Sequence, residues 1–218
     1  MPIITATAYL APVQLYAHLY AADAAIEDRH EHFLKQTYRN RCYIATPTGP
    51  QPLTIPVVRD GASHIATRDV RISDHGNWRH LHWTALASAY ESSPYFEYYV
   101  DDFRPLYEHP FHFLVDFNEA LQHTVLDLLS LPRTVSQASA YIDAASLPAD
   151  AVDLRTIVSP KQPLEADAAF RPVPYYQVFA DRTGFLPNLS IVDLLFNLGP
   201  ESRVVLRQSM SNVRKTGV

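Results

Sequence analysis

Residues 185–197 restrict the fold more than any other part of the sequence, because they join a turn, a helix cap and a short apolar helix. Ser190 and Asp193 have the spacing of a capping box, which satisfies free N–H groups at a helix start. Gly199 suits the end of this helix, and Pro200 suits the start of the next. Three polar side chains of the segment must find partners: Asn188, Asp193 and Asn197. These side chains either form the caps of a packed C-terminal helix pair or face a ligand.

The composition is that of a globular protein with one aromatic-rich core. The chain has 218 residues, of which 47% are hydrophobic, and 13 of them are tyrosines. This length predicts a single domain, which we place over residues 1–208, with a flexible tail over 209–218. Tyrosine combines apolar area with a polar tip, so it suits a border between a core and a wet cleft.

Charge, cysteine content and hydropathy limit the partners. The net charge of −5 argues against a nucleic-acid partner, which needs a basic face. The single cysteine, Cys42, excludes an internal disulfide and any multi-cysteine zinc site. The apolar residues 1–26 lack the basic start of a signal peptide, and no run approaches the roughly 18 apolar residues of a membrane span. We expect a soluble, cytoplasmic protein with no membrane span.

Hydrophobic periodicity predicts the secondary structure. Alternating or β-branched runs predict strands over 3–10, 42–45, 53–58, 70–72 and 152–158. Helical spacing predicts helices that begin near residues 13 and 78, two more over 95–107 and 113–129, and a C-terminal pair. The charged stretch 27–31 is predicted to be exposed, and most of 130–174 to be loops. The predicted fold class is α/β, a single compact domain with a mixed β-sheet flanked by helices.

A cluster of cations precedes the predicted hairpin. If this stretch is extended, the side chains of Lys35, Arg39 and Arg41 lie on one face. Three adjacent cations repel one another unless an anion lies among them, and arginine suits phosphate or carboxylate. The alternatives are a solvated edge or pairing with carboxylates such as Asp101 and Asp102. The candidate anion-binding residues are Lys35, Arg39, Asn40 and Arg41.

An aromatic and histidine cluster begins the predicted second helix. Helical spacing brings Trp78 and His82 to one face, with Trp83 beside them. A histidine held against tryptophan can be a general acid or base, and the alternative is a core histidine hydrogen-bonded to backbone. His80 and His82 point to opposite sides of a helix, so they cannot hold one metal ion. We expect no metal site and no cofactor.

The scarcity of glycine disfavours three common enzyme classes. With 6 glycines, the chain has none of the glycine motifs of dinucleotide enzymes, P-loop NTPases or α/β-hydrolases.

An ordered set of short motifs resembles the WbqC-like family over almost the complete chain. The matching pieces lie at 9–12, 38–41, 53–57, 77–83, 89–96, 116–118 and 187–201. Two stretches depart from the family pattern: Ala11-Pro12-Val13 replaces an opening with an aromatic residue, and the proline-rich 130–174 replaces a glycine-containing segment. The resemblance implies a role in surface-polysaccharide (O-antigen) biosynthesis, without an established reaction.

These observations lead to a hypothesis of group transfer on a nucleotide-activated sugar. The cation cluster would hold the phosphates, His82 would move a proton with Asp193 as the second catalytic candidate, and the faces of Trp78 and Trp83 would pack on sugar rings. Asn188 and Asn197, with Asp193, would orient sugar hydroxyls. The alternatives are a non-catalytic sugar- or nucleotide-binding module, and a structural protein whose polar motifs are caps and buried networks.

Overall fold

The computed structural model of the chain describes residues 1–58, 64–131 and 135–211. Within these ranges, the chain forms both strands and helices, mostly in runs of two or three of the same kind. The strands are β1 (Pro2–Thr5), β2 (Ala24–Glu27), β3 (Arg41–Thr46), β4 (Gly49–Thr54), β5 (Val135–Gln137) and β6 (Val152–Asp153). The α-helices are α1 (Val13–Ala21), α2 (Trp78–Tyr90), α3 (Phe96–Glu108), α4 (Leu114–Leu128), α5 (Ala180–Thr183), α6 (Ile191–Leu198) and α7 (Ser202–Gln208). The α/β class predicted for the chain is confirmed.

Four short parallel strands form the main sheet, in the order β5-β2-β1-β6. The connections first move from β1 through β2 to β5, and the chain then returns to the opposite side of β1 to form β6. The direction of winding therefore reverses between β1 and β6. In open sheets of parallel strands, a crevice forms at the carboxyl ends of the strands where the winding reverses, and ligands bind in it.

The antiparallel strands β3 and β4 form a hairpin separate from the main sheet. The predicted mixed sheet is thus a parallel sheet plus an independent two-stranded unit. Thr46 pairs with Gly49, so Pro47 and Thr48 form a two-residue turn, which is the tightest common hairpin connection. Gly49 adopts a φ of 115°, which favours glycine.

Helix α6 lies at the centre of the core. Every residue from Ile191 to Asn197 is buried, and the helix contacts α1, α2, α3, α7 and β3. The ring of Phe196 packs against three other aromatic rings: Tyr90, Phe96 and Phe103. The segment just before α6 bonds to the start of α1, where Val13 N–H donates to the Leu189 carbonyl over 2.9 Å. The two ends of the described chain are thereby joined in one core.

Several local predictions were wrong. The stretch 70–72 forms isolated bridges with Val57 and Phe113 in place of a strand. The charged stretch 27–31 is not exposed as a unit, because Glu27, Asp28 and Glu31 are buried at the carboxyl end of β2. Residues 209–211 at the start of the predicted tail form backbone hydrogen bonds with residues 169–171; the remainder of that tail lies outside the described residues, and its flexibility stays a prediction. No helix in the described ranges is long and apolar enough to cross a membrane.

Candidate anion-binding cleft

A cleft of about 540 Å³ lies beside the carboxyl end of β6. Its walls are residues 33–39, which follow β2, and residues 155–162, which follow β6. Arg39 lines both this cleft and a smaller cavity of about 10 Å³ beside residues 5–8, the continuation of β1. Through Arg39 the cleft adjoins the reversal point between β1 and β6, which is where open parallel sheets bind ligands. Its volume lies within the range of small-molecule sites.

Arg39 forms the floor of the cleft and is neutralised there. Its guanidinium donates to both carboxylate oxygens of Glu31, each over 2.7 Å, and to the Thr37 hydroxyl over 3.2 Å. The residue is only 3% exposed. Burial raises the pKa of Glu31, and the hydrogen bonds and charge of Arg39 oppose that shift. A bidentate pair of this kind holds the loop in place and leaves little positive charge for a ligand.

Arg155 forms the second fixed cation of the cleft and ties β6 to β2. Its guanidinium donates to Asp153 over 2.6 and 2.9 Å, to Asp28 over 2.6 Å, and to the carbonyl of Ile142 over 2.7 Å. Burial alone would raise the pKa of Asp153, but the hydrogen bonds and charge of Arg155 lower it. The hydrogen bonds of the Arg155 guanidinium thus join the ends of β2 and β6 to the loop before β6.

Two lysines supply the unpaired positive charge of the cleft. Lys35 and Lys161 lie on opposite walls, are exposed, and form no ion pair with any described carboxylate. The Lys161 ammonium donates to the backbone carbonyl of Lys35 over 3.4 Å, which brings the walls together. The chain has three lysines, and the third, Lys215, lies outside the described residues. Two of three lysines therefore converge on one cleft in an acidic protein.

The remaining lining combines polar side chains with Phe33 and Leu34, and it contains no carboxylate among the described residues. Among the described residues that line the cleft, four are cationic and none is acidic. Thr156 and Ser159 contribute hydroxyl groups, and the backbone N–H of Thr156 makes no hydrogen bond within the described part of the chain. Free N–H groups and ammonium groups together suit a phosphate-bearing ligand.

The structure brings only part of the predicted cation cluster to the cleft. Lys35 and Arg39 line the cleft, but Arg41 and Asn40 do not. Arg41 lies on β3 and donates to the Thr54 hydroxyl on the neighbouring strand over 2.8 Å. Asn40 is buried and donates to the carbonyl of Ile55 over 2.9 Å. Neither Asn40 nor Arg41 is therefore placed to bind an anion in the cleft.

His82 and the two tryptophans belong to the aromatic core, contrary to the proposed proton-transfer and sugar-packing roles. The hydroxyl of Tyr9 lies 2.9 Å from Nδ1 of His82 and 2.8 Å from the Tyr107 hydroxyl. Burial lowers the pKa of His82 to about 4, and a hydrogen bond with the backbone of Thr54 opposes the shift. The imidazole is thus neutral near pH 7. Trp78 is buried edge-on against His82, and the half-buried Trp83 packs on Phe96 and Tyr107.

The three polar residues of the C-terminal segment make internal hydrogen bonds, although Oδ1 of Asn197 is buried without a partner among the described residues. The Asp193 carboxylate accepts hydrogen bonds from Tyr90, Tyr175 and Gln177 over 2.6–2.9 Å. Burial raises the pKa of Asp193, and these three donors oppose the shift. The Asn197 amide donates to the Asp193 carbonyl over 2.7 Å.

Asn188 completes the start of α1 from a distant part of the chain. Its Oδ1 accepts from the backbone N–H of Gln14 over 2.9 Å, which satisfies a free donor in the first turn of the helix. These side chains do not line the cleft, so the predicted convergence of the cations with this segment is wrong.

The sequence reasoning missed the second wall of the cleft. Residues 155–162 lie in the proline-rich stretch that we expected to be mainly loop, and Arg155 and Lys161 were not candidates. The strand predicted over 152–158 exists as β6, reduced to two residues. The rarity of lysine in this chain could have indicated Lys161, because it is one of only three lysines in the sequence.

Comparisons with known proteins identify the family. The sequence matches the WbqC-like protein family over residues 8–169, which include both walls of the cleft. It is also similar to the uncharacterized protein Rv1507c of Mycobacterium tuberculosis, with 28% identity over 194 residues that cover 80% of this chain and 84% of that protein. No solved structure matches the chain significantly. The chain therefore belongs to the WbqC-like protein family.

Proposed function

We propose that this protein binds a nucleotide-activated sugar, with the phosphates between Lys35 and Lys161. The observation that carries the proposal is the cleft of about 540 Å³ that adjoins the reversal point of the sheet, with two unpaired lysines on opposite walls. A phosphate group placed there would meet both ammonium groups without displacing an existing ion pair.

The fixed arginines support this function by holding the walls, since neither has charge to spare. Arg39 and Arg155 together engage three buried or half-buried carboxylates: Asp28, Glu31 and Asp153. The loops are thus in place before a ligand arrives, which reduces the entropy lost on binding.

The role that we propose for this binding is in surface-polysaccharide (O-antigen) biosynthesis, which the resemblance to the family implies. Nucleotide-activated sugars are donors for such polymers, so the ligand class and the process agree. Group transfer is the second candidate, although His82 and Asp193, the predicted catalytic residues, do not line the cleft. The lining favours binding over transfer, because its cations, hydroxyls and apolar side chains can hold a ligand, while no carboxylate or imidazole among the described lining residues is placed to move a proton.

The test is a titration with a panel of UDP-, GDP- and dTDP-linked sugars, followed by calorimetry and thermal unfolding. A ligand at 100 times its dissociation constant should stabilise the protein by about 2.7 kcal/mol. The variant Lys35→Ala/Lys161→Ala should bind about tenfold more weakly or worse, because two charged contacts are lost.

The matched control is Arg203→Ala/Arg207→Ala on α7, where two exposed cations lie outside the cleft. This control removes the same charge and should leave the affinity unchanged. If both double variants lose the same affinity for the nucleotide sugar, the loss is due to the change in net charge, which would contradict a binding site at the cleft. Absence of binding by every nucleotide sugar would contradict the proposed function itself.

A further inference from the structure

An exposed apolar patch adjoins the lysines of the cleft. Leu34 is 47% exposed and lines the cleft next to Lys35, and the half-buried Phe33 lies beside it. The patch formed by Phe33 and Leu34 is called the apolar lip below. An isolated exposed leucine is ordinary, but an apolar pair in a cationic cleft gives the site two chemically different ends.

The apolar lip is held in a fixed conformation. Phe33 N–H donates to the carbonyl of Ile65 over 3.0 Å, and the Leu34 carbonyl accepts from the Thr37 hydroxyl over 2.7 Å. Gln36 adopts a φ of 57°, the left-handed conformation that non-glycine residues rarely adopt. The loop therefore presents the lip and Lys35 together, and strained backbone of this kind is common at ligand sites.

We infer that the lip holds the nucleoside of the ligand while its diphosphate lies between Lys35 and Lys161. This inference rests on the proposed function and names the part of the ligand that gives selectivity. A nucleobase or ribose has an apolar face of about the size that two side chains can cover, and its edges tolerate the polar groups nearby. The long apolar chain of an isoprenoid phosphate would leave most of its length in a polar cleft, so the lip favours the nucleoside.

The test compares three probes that share a diphosphate and differ in what is attached to it: UDP, inorganic pyrophosphate and farnesyl diphosphate. In the wild type, UDP should bind more tightly than either of the others. Leu34→Ser should weaken UDP binding about fivefold, the effect of losing roughly one buried apolar contact, and should leave pyrophosphate binding within about twofold. Leu34 is exposed, so this variant should fold normally.

The matched control is Leu81→Ser, which removes an exposed leucine from α2 outside the cleft and should leave all three affinities unchanged. The inference is overturned if Leu34→Ser weakens UDP and pyrophosphate equally, or weakens neither. It is also overturned if farnesyl diphosphate binds more tightly than UDP and Leu34→Ser abolishes that difference. If the diphosphates bind but are insensitive to Lys35→Ala/Lys161→Ala, the proposed function fails, and the inference fails with it.

Discussion

Arg39 and Arg41 are two residues apart in the chain but have different roles in the folded protein. Arg39 is buried in a bidentate pair with Glu31, whereas Arg41 is half-buried and makes one hydrogen bond to Thr54. Their residue types are the same, so the sequence alone predicted a common function. What separates them is Glu31, which lies in a stretch that was expected to face solvent.

We therefore predict that Arg39→Ala lowers the free energy of unfolding by about 3–5 kcal/mol, because it leaves the Glu31 carboxylate buried without its partner. Arg41→Ala should change it by no more than about 1 kcal/mol, since one half-exposed hydrogen bond is lost. Urea unfolding of both variants measures the difference. Similar losses in the two variants would contradict the interpretation that Arg39 serves a buried ion pair. If Arg39→Ala instead loses ligand affinity without losing stability, Arg39 binds the ligand, as predicted from the sequence.

His82 carries a prediction about acid stability. Its pKa in the folded protein is about 4, below its ordinary value of 6.5, because burial disfavours the charged form. As the pH falls from 6.5 towards 4, the unfolded chain takes up a proton that the folded chain does not. The free energy of unfolding should therefore fall through this window, by roughly 3 kcal/mol in total from this group.

The measurement is the free energy of unfolding of the wild type and His82→Gln at several pH values between 7 and 4. The wild type should lose more stability than His82→Gln on acidification, while both remain able to bind ligand at pH 7. His80→Gln is the control, because His80 lies on the same helix and is exposed. Parallel pH profiles for the wild type and His82→Gln would contradict the burial of a neutral imidazole.

Among the secondary-structure elements, the longer helices were predictable and the shortest strands were not. Helices α2, α3 and α4 have 13 to 15 residues, enough for the apolar period to be read. Strands β2 and β5 have four and three residues, too few to show a period of two. Glu27 at the end of β2 is buried against Arg29, and Arg29 in turn pairs with Glu119 on α4 over 3.1 Å, a long-range contact that no local pattern contains.

The link between α6 and the helical turn that follows it depends on Gly199. This residue has a φ of 53°, and a Cβ there would lie 2.4 Å from the Tyr95 ring. We predict that Gly199→Ala costs more stability than Gly76→Ala, which has a φ of 83° but open space around it. A positive φ strains alanine at both positions, and overpacking adds about 1–3 kcal/mol at Gly199.

Urea unfolding of the two alanine variants isolates the steric part, because Gly76 provides the conformational control. Equal losses would show that the Tyr95 ring moves aside without cost. A Gly199→Ala/Tyr95→Ala double variant should recover part of the steric cost, since the smaller side chain makes room for the added methyl group.

At the scale of the complete fold, only one of the two walls of the candidate site could be predicted from the sequence. The local cluster of charges pointed to Lys35, because cations close in sequence are visible in sequence. Lys161 lies on a wall contributed by a segment more than 100 residues away, and only the sheet order β5-β2-β1-β6 brings the two together. The family match over 8–169 spans both walls, whereas the C-terminal helices beyond it complete the core.

The central position of α6 has a consequence for how the protein is made. A nascent chain on the ribosome can form α1 and β1 early, but the aromatic surface that receives Phe196 stays uncovered until residue 196 has been synthesised. Contacts that link residues 10–13 to residues 189–191 also delay closure, since distant pairs form slowly. During translation the aromatic surface therefore stays exposed until the last helices have been made, and exposed apolar surface of this kind makes an unfinished chain prone to aggregation.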